Sequence, residues 1–511
     1  MKNTKNSCRI NHIKRILFMI FTVLFLLAMS ASAISCNSNK SANGNNSQTG
    51  DNSASGEAQS DTAATTEQYV YPQLDGGGAD FTFLSPTTTW FYYTDIVRDT
   101  MDGEVLDDAI YNRNSFIEDK FNINIKSEDM DIGKIYTQLK KVILAGDDVY
   151  DASFCPAFSS GNIGSLITQN MFYNLRDIAS LNLGENWWNQ TMDKEAAVGA
   201  GNKLYYAGCD IDIATLQSVS LVYINQTMMT NLGLELPYNM VRQGKWTYDA
   251  MNQYQKAGAN MNGDVSWKWT LNGTAIYGLA GYEDCAMALL AGADVRYINT
   301  DANGVPQLAV QDERFINALT KVQQMLQLQD GSYLYANSDP ATGNHYEPIF
   351  KSGRALMATG ELKAADVFRD MPDTFGILPI PKYDETQQNY YCHDIFACPL
   401  LVIPATNPDP ETTGAILDAM AYVSNRDVTP VLFDISVSQK QLRNDDSIDM
   451  LQIIRNSGSF EVGCAYGWVN TLYDAIGSNV GQGKSFDIAS QIDKNVPKMQ
   501  ANIDKTMELF Q

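Results

Sequence analysis

Histidine is nearly absent from this chain: three in 511 residues, one of them His12 near the N-terminus. No two cysteines stand as C-x-x-C, so the common zinc-ligand spacings are missing and no metal or cofactor is expected. There is no H-E-x-x-H helix, no P-loop and no nucleophile elbow, which removes the short signatures of several hydrolase classes. Charged residues are sparse at 19% and one-sided, 59 acidic against 36 basic, for a net charge of −23. So acidic a surface repels phosphate backbones and anionic headgroups, and nucleic-acid binding is not expected. Acidity that keeps an exported chain soluble is the plainer reading. What is plentiful is apolar material, 44% hydrophobic and 10% aromatic, in a chain too long for one ordinary core. Two or more lobes are expected.

The first thirty-six residues carry the clearest local signal. Lys2, Lys5, Arg9, Lys14 and Arg15 form a basic start without an acid, followed by the apolar run Ile16 to Met29. That run is too short to span a bilayer comfortably. Small residues follow (Ser30 to Ala33), then Ile34-Ser35-Cys36, the order of a secretory signal with its cleavage region. Residues 1–35 therefore read as a signal peptide. Its removal would leave 31 basic residues against 59 acidic ones, a net −28. Cys36 directly after a small residue looks like a bacterial lipobox, with acylation at Cys36 and Ala33 standing where leucine is usual. The alternative is an ordinary cleavage that frees the protein. Two acyl chains suffice for stable anchoring where one does not. Residues 36–68 contain almost no large apolar side chain and are expected to remain a disordered tether. Six further cysteines (Cys155, Cys209, Cys285, Cys392, Cys398, Cys464) fit either export-compatible disulfides or buried free thiols.

From Tyr69 onward strand-like and helix-like segments alternate, which predicts an α/β architecture. Phe81 to Leu84 reads as a strand ending at Ser85-Pro86, Ala109 to Phe121 as a helix, and Ile123 to Ile125 as a strand. Ile135, Leu139, Val142 and Ile143 make one apolar helix face that Gly146 terminates. Phe315, Ala318, Leu319, Val322, Met325 and Leu326 form the cleanest amphipathic stripe. Asp409-Pro410 reads as cap and first residue of a helix carrying Ile416, Leu417, Met420 and Val423 inward. The last segment, from Phe486 onward, is expected to be helical and bent at Pro497. Asn299-x-Asp301-x-Asn303-Gly304 imitates a calcium loop but has Val310 where the bidentate Glu belongs, so a hairpin turn between Tyr297 and Leu308 is the better reading.

Four segments in order resemble the family 1 extracellular solute-binding proteins, the carbohydrate-type receptors of ABC importers. They are LAGDDVYDASF (Leu144 to Phe154), YNMVRQGKWTYDAM (Tyr238 to Met251), FKSGRALMATGEL (Phe350 to Leu362) and FGILPIPKYDETQQNYY (Phe375 to Tyr391). The resemblance implies a two-lobed periplasmic-binding-protein-like fold whose chain crosses between lobes three times, near residues 210–216, 375–378 and 425–431. Lobe 1 would then comprise residues 69–212 and 375–424, and lobe 2 residues 213–374 and 425–511. It further implies a monomeric receptor outside the cytoplasmic membrane that closes on its ligand and hands it to importer permease subunits.

A sugar cleft calls for aromatic walls and a few paired polar groups, because sugars present C–H faces and hydroxyls. Trp90, Tyr92 and Asp95 fall in the loop after the first strand, where aromatics are hard to explain as core. Asp210 and Asp212, one residue apart, would point to one side of an extended segment. Tyr282-Glu283-Asp284 follows the strand Tyr277 to Ala280 and is a candidate cleft wall from lobe 2. By the resemblance, Glu361 occupies a ligand-facing place and Tyr466 with Trp468 supplies the aromatic that closes over sugar rings. His393 and Asp394 are weaker candidates near the second crossing. Trp246 and the pair Trp187-Trp188 read as packing, with Thr247 as an N-cap. The rival readings are a secreted glycoside hydrolase, which also needs paired carboxylates, a same-fold receptor for a peptide or polyol, and a surface adhesin. Glycan consumption separates the hydrolase from a receptor.

Overall fold

The computed structural model describes residues 69–87, 96–157, 159, 161–327, 330–337, 343–394, 398–438 and 445–510, all within the compact unit Gln68–Gln511. Thirteen strands follow one another among the described residues: β1 (Ala79–Thr87), β2 (Ile123–Asp131), β3 (Ala152–Cys155), β4 (Ser220–Asn225), β5 (Tyr277–Gly281), β6 (Ile298–Thr300), β7 (Pro306–Leu308), β8 (Tyr333–Tyr335), β9 (Ala355–Glu361), β10 (Phe375–Leu378), β11 (Cys392–His393), β12 (Leu400–Val402) and β13 (Gly458–Ser459). They form a four-stranded sheet ordered β12-β3-β1-β2 and a five-stranded sheet ordered β10-β4-β9-β5-β8. Two small pairs, β11-β13 and β6-β7, complete the set. Helices alternate with these strands, and the expected mixed α/β class is the one found.

In the first sheet β1 is parallel to both β2 and β3, and β12 runs antiparallel to β3. The strand expected to stop at Ser85-Pro86 continues to Thr87, paired with β2 up to Thr87↔Asp131. Beyond Leu84 it has left β3, and an unpaired side is where a proline, lacking its N–H donor, is tolerated in a sheet. In the second sheet β10, β9, β5 and β8 share one direction, with β4 running against β10 and β9.

Residues 375–378, expected to begin the return to the first lobe, form β10 and pair with β4 from Phe375↔Asn225 to Leu378↔Val222. The chain rejoins the first sheet only at β12. An apolar run followed by Pro379 marks a strand, but nothing local in it selects which sheet's edge it joins.

Helix positions follow the sequence pattern closely. All six residues of the expected stripe on helix Glu313–Leu326 are buried, each large one contributing about 1.5–3 kcal/mol. Asp409 accepts a hydrogen bond from the Thr412 amide at 3.1 Å and caps helix Pro410–Val423. Gly146 ends helix Ile135–Ala145 in the left-handed region, φ 74°. Thr247 caps helix Tyr248–Gly258, while the Trp246 indole is buried and donates to the Pro379 carbonyl at 2.9 Å. That helix lies so close to β5 that a Cβ at Gly278 would sit 1.9 Å from the Gln255 carbonyl oxygen, so only glycine fits. The segment resembling a calcium loop is the β6-β7 hairpin, in which Asp301 Oδ1 accepts from the Asn303 and Val305 amides. All six downstream cysteines are free and buried, which settles the choice left open for them.

The tryptophan pair belongs to packing, through a hub that sequence reading missed. Asp418, fully buried on helix Pro410–Val423, accepts from both indoles, Trp187 at 2.9 Å and Trp188 at 3.0 Å. It also takes the Tyr69 hydroxyl and the backbone and side-chain N–H groups of Asn182. Tyr69 stacks on Tyr422 at 4.3 Å, so the first described residues are anchored in the same cluster.

Candidate functional site

Parallel strands leave a crevice off their carboxyl ends, because the loops that follow them gather there. In the five-stranded sheet that edge is formed by the ends of β5, β8 and β9, which bring together Tyr282, Glu283, Asp284, Tyr335 and Glu361. The Tyr282 and Tyr335 rings stack, centroids 6.4 Å apart and planes 26° from parallel. Glu283 accepts from the Tyr335 hydroxyl at 3.2 Å and from the Gln482 side chain. Glu361, half-buried at the end of β9, accepts from the Tyr346 hydroxyl at 2.9 Å. Asp284 opens helix Asp284–Gly292, and burial, reinforced by the charges of Glu361 and Glu283, pushes its pKa up to about 7. Burial also raises Glu361, with the Tyr346 hydrogen bond working against it.

Such an edge offers a tyrosine pair for a C–H face, carboxylates to accept hydroxyl protons, and in Asp284 an acid able to donate near neutrality. Three sequence candidates, Tyr282, Glu283 and Glu361, are brought together here. Asp284 was named with the first two as part of the same wall, and Tyr335 and Tyr346 were missed altogether. The signal for Tyr335 was its place closing a short strand, while Tyr346 reaches Glu361 only through tertiary contact.

Asp210 and Asp212 are each held by donors of the chain itself. Both are buried. Asp212 Oδ1 accepts from the Ala214 amide at 2.9 Å, within the turn that leads into Ala214–Gln217. Asp210 Oδ2 accepts from Asn425 Nδ2 at 2.7 Å, Thr429 Oγ1 at 3.0 Å and, more distantly, Arg455 at 3.5 Å. These bonds join two of the expected crossing segments. Asp210 still borders a cavity of about 210 Å³ with Asn186, Asn189, Arg455 and Asn456, and burial raises its pKa.

Tyr466 and Trp468 also depart from expectation. The rings stack face to face, centroids 4.6 Å apart, and the Trp468 indole donates to Thr506 Oγ1 at 2.9 Å. At 2% exposure Trp468 turns no ring face outward. Gly467, with φ 71°, turns the chain between the two rings, a conformation the tripeptide alone does not announce. Tyr466 abuts Gly164 so closely that a Cβ there would come within 2.7 Å of the Tyr466 Cα. His393 is likewise internal, its Nε2 2.9 Å from the Tyr473 hydroxyl, and burial lowers its pKa to about 4. Trp90, Tyr92, Asp95 and Cys36 lie outside the described residues.

No protein-family model matches the chain, and no curated protein sequence does. Among solved structures it is similar to the cyclic α-maltosyl-1,6-maltose binding protein from Arthrobacter globiformis, with a TM-score of 0.55 and 12% identity over 84% of this chain and 100% of that one. It is also similar to a cyclo/maltodextrin-binding protein complexed with maltotetraose, with a TM-score of 0.54 and 15% identity over 83% of this chain and 97% of that one. At these identities the likeness is one of fold. The chain has the two-lobed architecture of periplasmic-binding-type proteins.

Proposed function

We propose that this chain is an exported receptor that captures a sugar or oligosaccharide between its two lobes and passes it to an ABC importer. The observation that carries the reading is the grouping of the Tyr282–Tyr335 stack with Glu283, Asp284 and Glu361 off the carboxyl ends of parallel strands. A fold alone does not name a function, so the site has to bear the argument. The structural neighbours bind maltotetraose and a cyclic maltosyl-maltose, which agrees with a hydroxyl-rich guest. Capture by closure requires no bond in the ligand to break, since contacts to both lobes form only when they approach. Acylation at Cys36 would hold the receptor at the outer face of the membrane, with residues 37–68 as its tether.

Calorimetry against a panel of neutral mono- and oligosaccharides tests the reading, with the glycan recovered and analysed afterwards. Saturable binding with the glycan returned intact is expected. Glu361→Gln is expected to weaken binding by about tenfold, the loss of one charge-assisted hydrogen bond. Silence across the panel would remove the sugar, and a consumed glycan would turn the case to the hydrolase. Mass spectrometry of the native N-terminus reads acylation directly.

A further inference from the structure

Three stretches of chain meet around the cavity of about 210 Å³ that Asp210 borders. Its walls come from residues 186–191 at the start of helix Gln190–Ala196, from residues 209–216 at the first expected crossing, and from residues 455–458, which lead into β13. At about 30 Å³ for each water in the liquid, the space equals about seven waters, room for a small guest but not for a chain of sugar units. None of these residues belongs to the strand-edge group described above.

Asp210 is the buried charge of this cavity, its side chain 9% exposed. All three of its side-chain donors, Asn425, Thr429 and Arg455, reach Oδ2, and Oδ1 takes none. Oδ1 is not one of the sealed, partnerless atoms of the interior, so it is the accessible part of the side chain and faces the cavity. Donors stand around it. Asn189 spends its own Oδ1 on the Met192 amide at 3.0 Å and keeps Nδ2, which lies over Gly458, 3.7 Å from where a Cβ would stand. Arg455 makes the long 3.5 Å contact to Asp210 and rests 5.1 Å over the Phe433 ring, which leaves the rest of its N–H fork open. Gln190 gives its N–H groups to the Leu183, Glu185 and Trp188 carbonyls and keeps its oxygen as an acceptor.

We infer that this cavity is a second ligand site, for a small, neutral, open-chain polyol. Its hydroxyls donate to Asp210 Oδ1 and the Gln190 oxygen and accept from Asn189 Nδ2 and Arg455. Each hydroxyl is donor and acceptor at once, so successive hydroxyls match walls on which the two kinds of group alternate. Neutrality follows from the walls: Asp210 and Arg455 are the charged ones and are of opposite sign, so a charged guest meets a like charge as soon as it finds a partner. A sugar ring wants an aromatic platform for its C–H face. The aromatic wall here, Trp188, is 2% exposed with its indole N–H given to Asp418, so it offers none. Asp210 thereby serves two purposes, Oδ2 tying the crossings and Oδ1 receiving the guest.

Xylitol and D-xylonate, which differ in one terminal carboxylate, are matched probes for calorimetry on the full chain. Xylitol is expected to bind saturably, and D-xylonate about tenfold more weakly or worse, because Arg455 is already balanced by Asp210. Asp210→Asn keeps an oxygen for Asn425 and Thr429 and turns an amide toward the cavity. Xylitol affinity should then fall about tenfold or more while the melting temperature holds. Asn456→Leu, on the exposed rim, leaves the Asp210 bonds untouched and should weaken xylitol in the same way; it decides the case if Asp210→Asn melts early. The inference is overturned by no saturable xylitol binding, by D-xylonate binding equally well, or by xylitol binding that Asn456→Leu or a stably folded Asp210→Asn leaves intact. Displacement of xylitol by maltotetraose would overturn it too, by assigning the binding to the strand edge. Since the variants lie outside that edge, failure here leaves the strand-edge reading standing.

Discussion

Replacing Asp418 by alanine and by asparagine separates a polar hub from ordinary core packing. The carboxylate is fully buried and takes five donors on two oxygens. Oδ1 receives the Trp187 and Trp188 indoles and the Asn182 amide, while Oδ2 receives the Tyr69 hydroxyl and the Asn182 side chain. In alanine the donors of exposed Asn182 and half-buried Tyr69 can turn to water, but the two buried indole N–H groups cannot. At about 1–3 kcal/mol for each stranded donor, alanine should cost about 4 kcal/mol. Asparagine can keep its oxygen under the indoles and set its amide against Tyr69, whose hydroxyl can turn to accept, and Asn182, whose amide can flip. It then loses mainly charge assistance, about 1–2 kcal/mol. Urea unfolding followed by tryptophan fluorescence reads both variants. Equal costs for the two, or an alanine cost below about 1 kcal/mol, would mean that the indoles are held by packing and that the hub is incidental.

Trp468→Ala should lower the unfolding free energy by about 3–5 kcal/mol, as for a large buried aromatic, and unchanged stability in the same urea assay would contradict its burial. For Asp284 the folded pKa of about 7 exceeds the ordinary 3.8, so the fold holds a proton that the unfolded chain gives up between those values. Its contribution to stability therefore falls as pH rises through that window, and Asp284→Asn should shrink the melting-temperature difference between pH 5 and pH 8 relative to the parent; a larger difference would reverse the sign argued here. Glu461, also raised to about 7 by burial, should behave alike when changed to Gln. The six downstream cysteines are buried, and burial raises each thiol, so maleimide should label none of them in the native chain and all six after unfolding; native labelling at any of them would refute the free, enclosed assignment.

Local chemistry was legible wherever one element determined the outcome. Helix Glu313–Leu326 buried the six residues that its spacing marked, and Asp409, Thr247 and Gly146 ended their helices as their side chains or backbone freedom require. The five-stranded sheet drew Tyr282, Glu283 and Glu361 to one edge because each follows or ends a strand of the same direction. What escaped was tertiary in origin. Phe375 to Leu378 is a strand in either sheet, and only its pairing with β4 decides which. The Tyr466-Gly467-Trp468 tripeptide is aromatic whether it faces a cleft or the core, and the turn at Gly467 that sent it inward is not encoded in residue type. Asp210 and Asp212 have the alternation of a cleft pair, yet their donors come from residues more than two hundred positions away or from the next turn.

Those donors bear on where recognition resides. Asp210 joins residues 425 and 429, and the buried Arg113 guanidinium bonds to the Ile211 carbonyl and to Ser424 Oγ. The segments expected as the first and third crossings are thus tied by these side chains. Asn425, Thr429 and Arg455 all reach Asp210 Oδ2, and removing one member of such a buried set costs about 3–5 kcal/mol, more than a ligand contact returns. The receptor proposed above would need its crossings held in register while its recognition groups stay exchangeable. The exchangeable groups are at the edge of the second sheet, where Glu361 and Glu283 are held by tyrosine hydroxyls that can release them to a competing donor. On the proposed function, the division of labour runs between a polar seam at residues 210 and 425–429 and an acidic tyrosine-lined edge at 282–284, 335 and 361.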